Sequence, residues 1–180
     1  MRLTSILAAV AATAVATPAL AQAVPPPAFP TDTAQANARG VVLQQHSVVN
    51  NGDLDFGIVT TDGVNSGTVT IEASAAGTRT TGGAGGVLPL PSNPRAAEFD
   101  GLAAPLENVA LTLNQPVGGV LTDAAGDTIT AFLRVDSNGL ARQADSNGKF
   151  TVYVGGDFGL TATQASGVYS ATFHLTAEYQ

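Results

Sequence analysis

An all-β domain of the sandwich or barrel type is what this sequence predicts, on three observations. Apolar and polar residues alternate in short runs, as in Thr68-Val69-Thr70-Ile71-Glu72-Ala73, which is the period of a half-buried strand. Turn signals such as Asn51-Gly52, Asp62-Gly63, Asn138-Gly139 and Asn147-Gly148 punctuate those runs, roughly every ten residues, the spacing of a sandwich or barrel. The composition agrees: 20 glycines and only 12% charged residues in 180 suit a sheet protein with many turns. No run after residue 23 keeps a 3.6-residue period, so helix content should be minor.

The chain opens on an export signal, read at residues 1–23. Met1-Arg2-Leu3 is a short positive start, residues 6–15 are apolar, and Ala19-Leu20-Ala21 and Ala21-Gln22-Ala23 are small-x-small cleavage patterns. The apolar run is too short to span a bilayer and no second one follows, so no membrane span is expected. Sec-type export would place the protein in the periplasm, on the cell surface or outside the cell. Residues 24–35 form a Pro-rich tail with Pro25, Pro26, Pro27 and Pro30. Proline fixes φ and lacks an N–H, so this tail should be extended. The folded β-domain is expected over residues 36–180.

Within that domain, Val41-Val42-Leu43 and Val48-Val49 form the first β-prone segment. Leu54, Phe56 and Ile58 alternate with polar residues and glycine, which reads as a strand. Val69, Ile71 and Ala73 face inward on the next. Residues 77–90 hold short β-like pieces, and Pro89, Pro91 and Pro94 argue against a central strand there. Residues 96–101 carry Phe99 on a short strand. Val109, Leu111 and Leu113 mark another, ended by Pro116-Val117-Gly118-Gly119. Ile129, Ala131, Leu133 and Val135 face inward next, then Phe150, Val152 and Val154. Residues 167–180 read as one unbroken strand. Tyr169, Ala171, Phe173, Leu175, Ala177 and Tyr179 lie on its dry face, and Ser170, Thr172, His174, Thr176 and Glu178 on its wet one.

Little in the chain points to chemistry. The net charge is −7 with scattered Lys and Arg, a poor match to nucleic acid. There is no cysteine, hence no disulfide and no thiol chemistry. Asp136-Ser137-Asn138-Gly139 and Asp145-Ser146-Asn147-Gly148 resemble the start of a calcium loop, but no closing acid follows, and Asn-Gly is a cheap tight turn. Asp157-Phe158-Gly159 and Ser146-x-x-Lys149 lack the partner motifs of kinases and β-lactamases. Gly82 to Gly86 has no helix or lysine after it, so it is no phosphate loop. His46 and His174 cannot build a metal site, and no nucleophile–base pair can be named. Asp53 and Asp55 read as solvated edge charges. The expectation is a protein without enzyme activity, metal or cofactor.

Two blocks carry a family resemblance. One is Leu54-Asp55-Phe56-Gly57-Ile58-Val59 with Gly67-Thr68-Val69-Thr70-Ile71. The other is Val154-Gly155-Gly156, Gly167-Val168-Tyr169-Ser170-Ala171-Thr172-Phe173 and Glu178-Tyr179-Gln180. Together they resemble the secreted bacterial domain-of-unknown-function family 4402. That family in turn is similar to spore coat U domains and chaperone–usher pilin subunits. The resemblance implies an immunoglobulin-like β-sandwich that lacks a strand, with a neighbour's N-terminal extension filling the gap. It also implies a penultimate Tyr and a Gly fourteen residues from the end, matched by Tyr179 and Gly167. The chain departs from many pilins in having no cysteine pair, and Ala36, Ala38 and Gly40 give its extension little side chain. The residues expected to take part in strand complementation are Val41, Leu43 and Val48 on a donor within residues 36–49, and Gly167, Tyr169, Phe173, Leu175 and Tyr179 on the acceptor. The expected role is a structural subunit of a surface filament or coat, with like subunits or a periplasmic chaperone and usher as partners. The alternative is a monomeric secreted binding module, for example for glycan, that completes its own sheet.

Overall fold

A computed structural model describes residues 34–180. The expected export signal and most of the expected Pro-rich tail, at residues 1–33, lie outside the described residues. Residues 34–40 are exposed and carry no regular structure. Val41–Gln180 forms a compact unit, an all-β sandwich of twelve strands with one short 3-10 turn at Val117–Gly119.

The strands are β1 (Ser47–Gly52), β2 (Val59–Thr61), β3 (Gly67–Ile71), β4 (Arg79–Gly83), β5 (Val87–Pro89), β6 (Ala97–Leu102), β7 (Asn108–Asn114), β8 (Val120–Thr122), β9 (Thr128–Val135), β10 (Ala141–Gln143), β11 (Lys149–Leu160) and β12 (His174–Tyr179). The first sheet has the order β1-β6-β11-β3-β4, all antiparallel. Its spine is β11. The first half of β11 pairs with β6 and its second half with β3 along one side, while β9 pairs with its middle from the other side. The second sheet is β10-β7-β12.

The alternation in the sequence sets which residues meet between the sheets. Ala97 and Phe99 of β6 and Phe150, Val152 and Val154 of β11 face Val109 and Leu111 of β7 and Leu175 and Ala177 of β12, forming a first core. A second core is built from Val69 of β3, Val87 of β5, Ile129 and Ala131 of β9, and Phe158 and Leu160 of β11. The two Asp-Ser-Asn-Gly stretches are turns: Gly139 and Gly148 both have φ of 78°, and the Asp136 and Asp145 carboxylates accept N–H bonds from Asn138 and Asn147.

Two expected strands are shorter than the alternation implies. Only His174–Tyr179 of residues 167–180 is a strand, and Ala171 is exposed rather than on a dry face. The cause lies in the neighbour: His174 is opposite Asn114, the last residue of β7, and Gln115-Pro116 then turns the chain away. Residues 167–173 keep only an isolated bridge, from Ser170 to Thr122 at the end of β8. The Leu54-Phe56-Ile58 stretch likewise makes only an isolated bridge, Asp55 to Arg95. Gly57 there has φ of 75°, which breaks an extended run.

Candidate functional site

The two cores are closed differently. β7 and β12 cover the first. The second contains no residue of β7, β10 or β12, so the second sheet stops short of it. Over it lies a groove of about 650 Å³, in the range of cavities that hold ligands. Its floor is Ile129, Leu133, Phe158 and Leu160. One wall is residues 54–61, and the other is residues 164–171 with Phe173.

The first wall is held from outside. Asp55 and Arg95 exchange backbone bonds at 2.9 and 2.8 Å, and Leu90 N–H donates to Ile58 O at 3.0 Å. The Arg79 guanidinium donates to Phe56 O (3.2 Å), Ile58 O (3.1 Å), Ser92 Oγ (3.0 Å) and Leu90 O (2.9 Å). Gly57 makes this possible. Its φ is left-handed, its N–H donates to Asp55 Oδ1 at 2.7 Å, and a Cβ there would come within 2.5 Å of Arg79 Nη1. Leu54-Asp55-Phe56-Gly57 thus encodes a bend that turns Phe56 onto Phe158, with ring centroids 4.8 Å apart. The residues bonding this wall from 79–95 line no part of the groove.

The second wall is nearly bare. Among the described residues, the only backbone–backbone bonds made by residues 167–173 are the reciprocal pair between Ser170 and Thr122, each 3.0 Å. Gly167 passes over the Asp123 carboxylate, where a Cβ would sit 2.5 Å from Oδ2. Tyr169 packs on the second core and is fixed by donating from its hydroxyl to Ala165 O (2.7 Å) and accepting from Gln164 Nε2 (3.0 Å). Phe173 is half-buried against the first core, edge-on to Phe99 at 6.0 Å. Beyond it, β12 pairs with β7 alone, so its other edge is free.

The expected acceptor residues Gly167, Tyr169 and Phe173 therefore converge on one groove. Leu175 is buried in the first core, and Tyr179 lies at the far end of β12. The expected donor residues are divided. Val41 and Leu43 are exposed and outside any strand. Val48 lies in β1, opposite Gly101 of β6, and packs on the first core. Residues 47–49 are thus already part of this domain's own sheet, and a donor can come only from upstream of Ser47. The sequence reading placed Ile129 and Leu133 of the groove floor facing inward, but it missed Arg79, Phe158 and Leu160. Phe158 and Leu160 were legible in principle, because they keep the phase of Phe150, Val152 and Val154 through Gly155-Gly156.

Residues 47–179, which contain every strand and both walls, match the family model described as Domain of unknown function (DUF4402). The chain belongs to this family. No curated protein and no solved structure matches it. Among the described residues no group of three His, Cys, Asp or Glu is arranged to hold a metal ion, and no helix is long and apolar enough to cross a membrane.

Proposed function

We propose that this DUF4402 domain is a non-enzymatic structural subunit of a cell-surface filament or coat, joined to like subunits by β-strand complementation, as in spore coat U and pilin-like sandwiches. The supporting observation is the groove over the second core, apolar on its floor and bordered on one side by residues 167–173, whose backbone has few partners. Unpaired N–H and C=O groups beside an apolar surface are costly once water is excluded. An added strand satisfies them and covers Phe158, Leu160 and Ile129 in one step. The donor is the N-terminal arm, residues 34–46, which is outside any strand and exposed up to Gln45. Export through the leader at residues 1–23 delivers the chain to a compartment where a periplasmic chaperone and usher can occupy the groove before a neighbour does.

Arg39 provides the test, because no other Lys or Arg lies between Arg2 and Arg79. Trypsin cuts the arm after Arg39 in a free subunit and is shut out when the arm is a strand. The purified mature chain is expected to form oligomers that resist sodium dodecyl sulfate until boiled and in which Arg39 survives trypsin. A chain beginning at Ser47 is expected to give no ladder and to gain thermal stability from a synthetic peptide of residues 34–46. A mature chain that stays monomeric, is cut at Arg39, and melts at the same temperature with or without its arm would overturn the proposal.

A further inference from the structure

At the end of β12 remote from the groove, the Tyr179 hydroxyl holds two backbone groups at once. It accepts a hydrogen bond from Ala104 N–H at 2.7 Å and donates one to the Gln44 carbonyl at 2.6 Å. The His46 ring meets the Tyr179 ring edge-on, with centroids 5.3 Å apart. Gln44 is exposed, so water could serve its carbonyl equally well. The bond therefore fixes position more than it rescues a buried group.

We infer that Tyr179 is a positioning residue that anchors the root of the N-terminal arm and so directs residues 34–43 into the groove of a second copy of this chain rather than into its own. The inference rests on the strand-complementation reading. From Tyr179 back to Phe173, where the groove begins, is the length of β12, six residues, or roughly 20 Å at strand rise. An arm pinned at Gln44 would use residues 38–43 to travel that distance beside its own β12. The stretch left to enter its own groove is Thr31-Asp32-Thr33-Ala34-Gln35-Ala36-Asn37, with Pro30 before it. That would set the Asp32 carboxylate and two amide side chains beside an apolar floor, a costly burial without partners. Pro30 could not donate to the ladder. Such an arm would also run parallel to β12, the weaker pairing. A second copy removes all three penalties. No residues are taken up along the donor's own edge, so Val41 and Leu43, which share one face of an extended arm, can reach the groove, and the strand can run antiparallel.

The absence of cysteine makes the choice of groove measurable. Ala38→Cys on the arm and Ala171→Cys on the groove wall are introduced together into the full mature chain. Two differently tagged populations are mixed and joined by a short bismaleimide. Wild-type Tyr179 is expected to give cross-links between the two tags. Tyr179→Phe keeps the ring and removes the hydroxyl, and should lower the between-copy to within-copy ratio roughly 2- to 10-fold, the effect of one hydrogen bond. If Tyr179→Phe does not fold, His46→Ala loosens the same root from the arm side and should move the ratio in the same direction. Within-copy products predominating with Tyr179 intact would overturn the inference and leave strand complementation standing. An unchanged ratio in both variants would overturn the anchoring role. No cross-link of either kind would sink strand complementation itself, and this inference with it.

Discussion

Gly57 and Arg79 together set the first wall of the groove. Gly57→Ala puts a side chain where φ is 75° and crowds the Arg79 guanidinium. The expected loss is about 1–3 kcal/mol in urea melts, the usual cost of a non-glycine residue in that region. Arg79→Lys should lose most of the four-bond fork, because one ammonium cannot match its planar geometry. Both variants are expected to weaken binding of the arm peptide more than they weaken the fold. Elsewhere the fold depends on a buried ion pair, Arg142 Nη2 to Asp136 Oδ1 at 2.5 Å, with both side chains under 10% exposed. Asp136 also accepts from Tyr153 N–H at 3.0 Å, tying the β9–β10 turn to β11. Arg142→Met leaves that carboxylate buried without its cation and should cost about 3–5 kcal/mol, while Asp136→Asn with Arg142→Met should recover part of it. At the Asp145 turn, N–H bonds from Lys149 and Asn147 hold the carboxyl below its ordinary range. A lowered pKa gives stability that is present above the unfolded value, about 4, and is lost as pH falls through the folded one. Asp145→Asn should flatten that acid limb and leave the neutral-pH melt little changed.

Among the elements, the strands legible in the sequence are those with a neighbour on each side. Val69 and Ile71, Val109 and Leu111, Ile129 to Val135, and Phe150 to Val154 all take the faces their alternation implies. The final strand is different. Its dry face persists at Tyr169, Phe173, Leu175, Ala177 and Tyr179, yet residues 167–173 are not a strand because β7 has already ended. Side-chain periodicity records which face will be buried, and it does not record whether a partner strand is present. The same limit hid Arg79, whose value lies in carbonyls 11 to 23 positions away along the chain. Phe173 and His174 separate the two effects. Phe173 is half-buried, so Phe173→Ala should cost about 1–2 kcal/mol in the free subunit, below the full-burial penalty. The cost should grow when the groove is filled. His174→Ala faces water and should change neither measurement.

The unit Val41–Gln180 is a sandwich with one core covered by the second sheet and one left under a groove, and the chain has no cysteine to staple either. The root of its arm, Gln44 to His46, lies beside Tyr179, at the end remote from the groove. In a polymer of such units, tension would enter a subunit at its groove and leave through the arm, whose covalent root is β1 and whose bond to Tyr179 takes load first. The residue pairs between β1 and β6 would then be loaded together, instead of peeling one at a time. Pulled in a force spectrometer, a fibre of these subunits should extend little until a whole ladder yields, and Tyr179→Phe should lower the force at which the first one does.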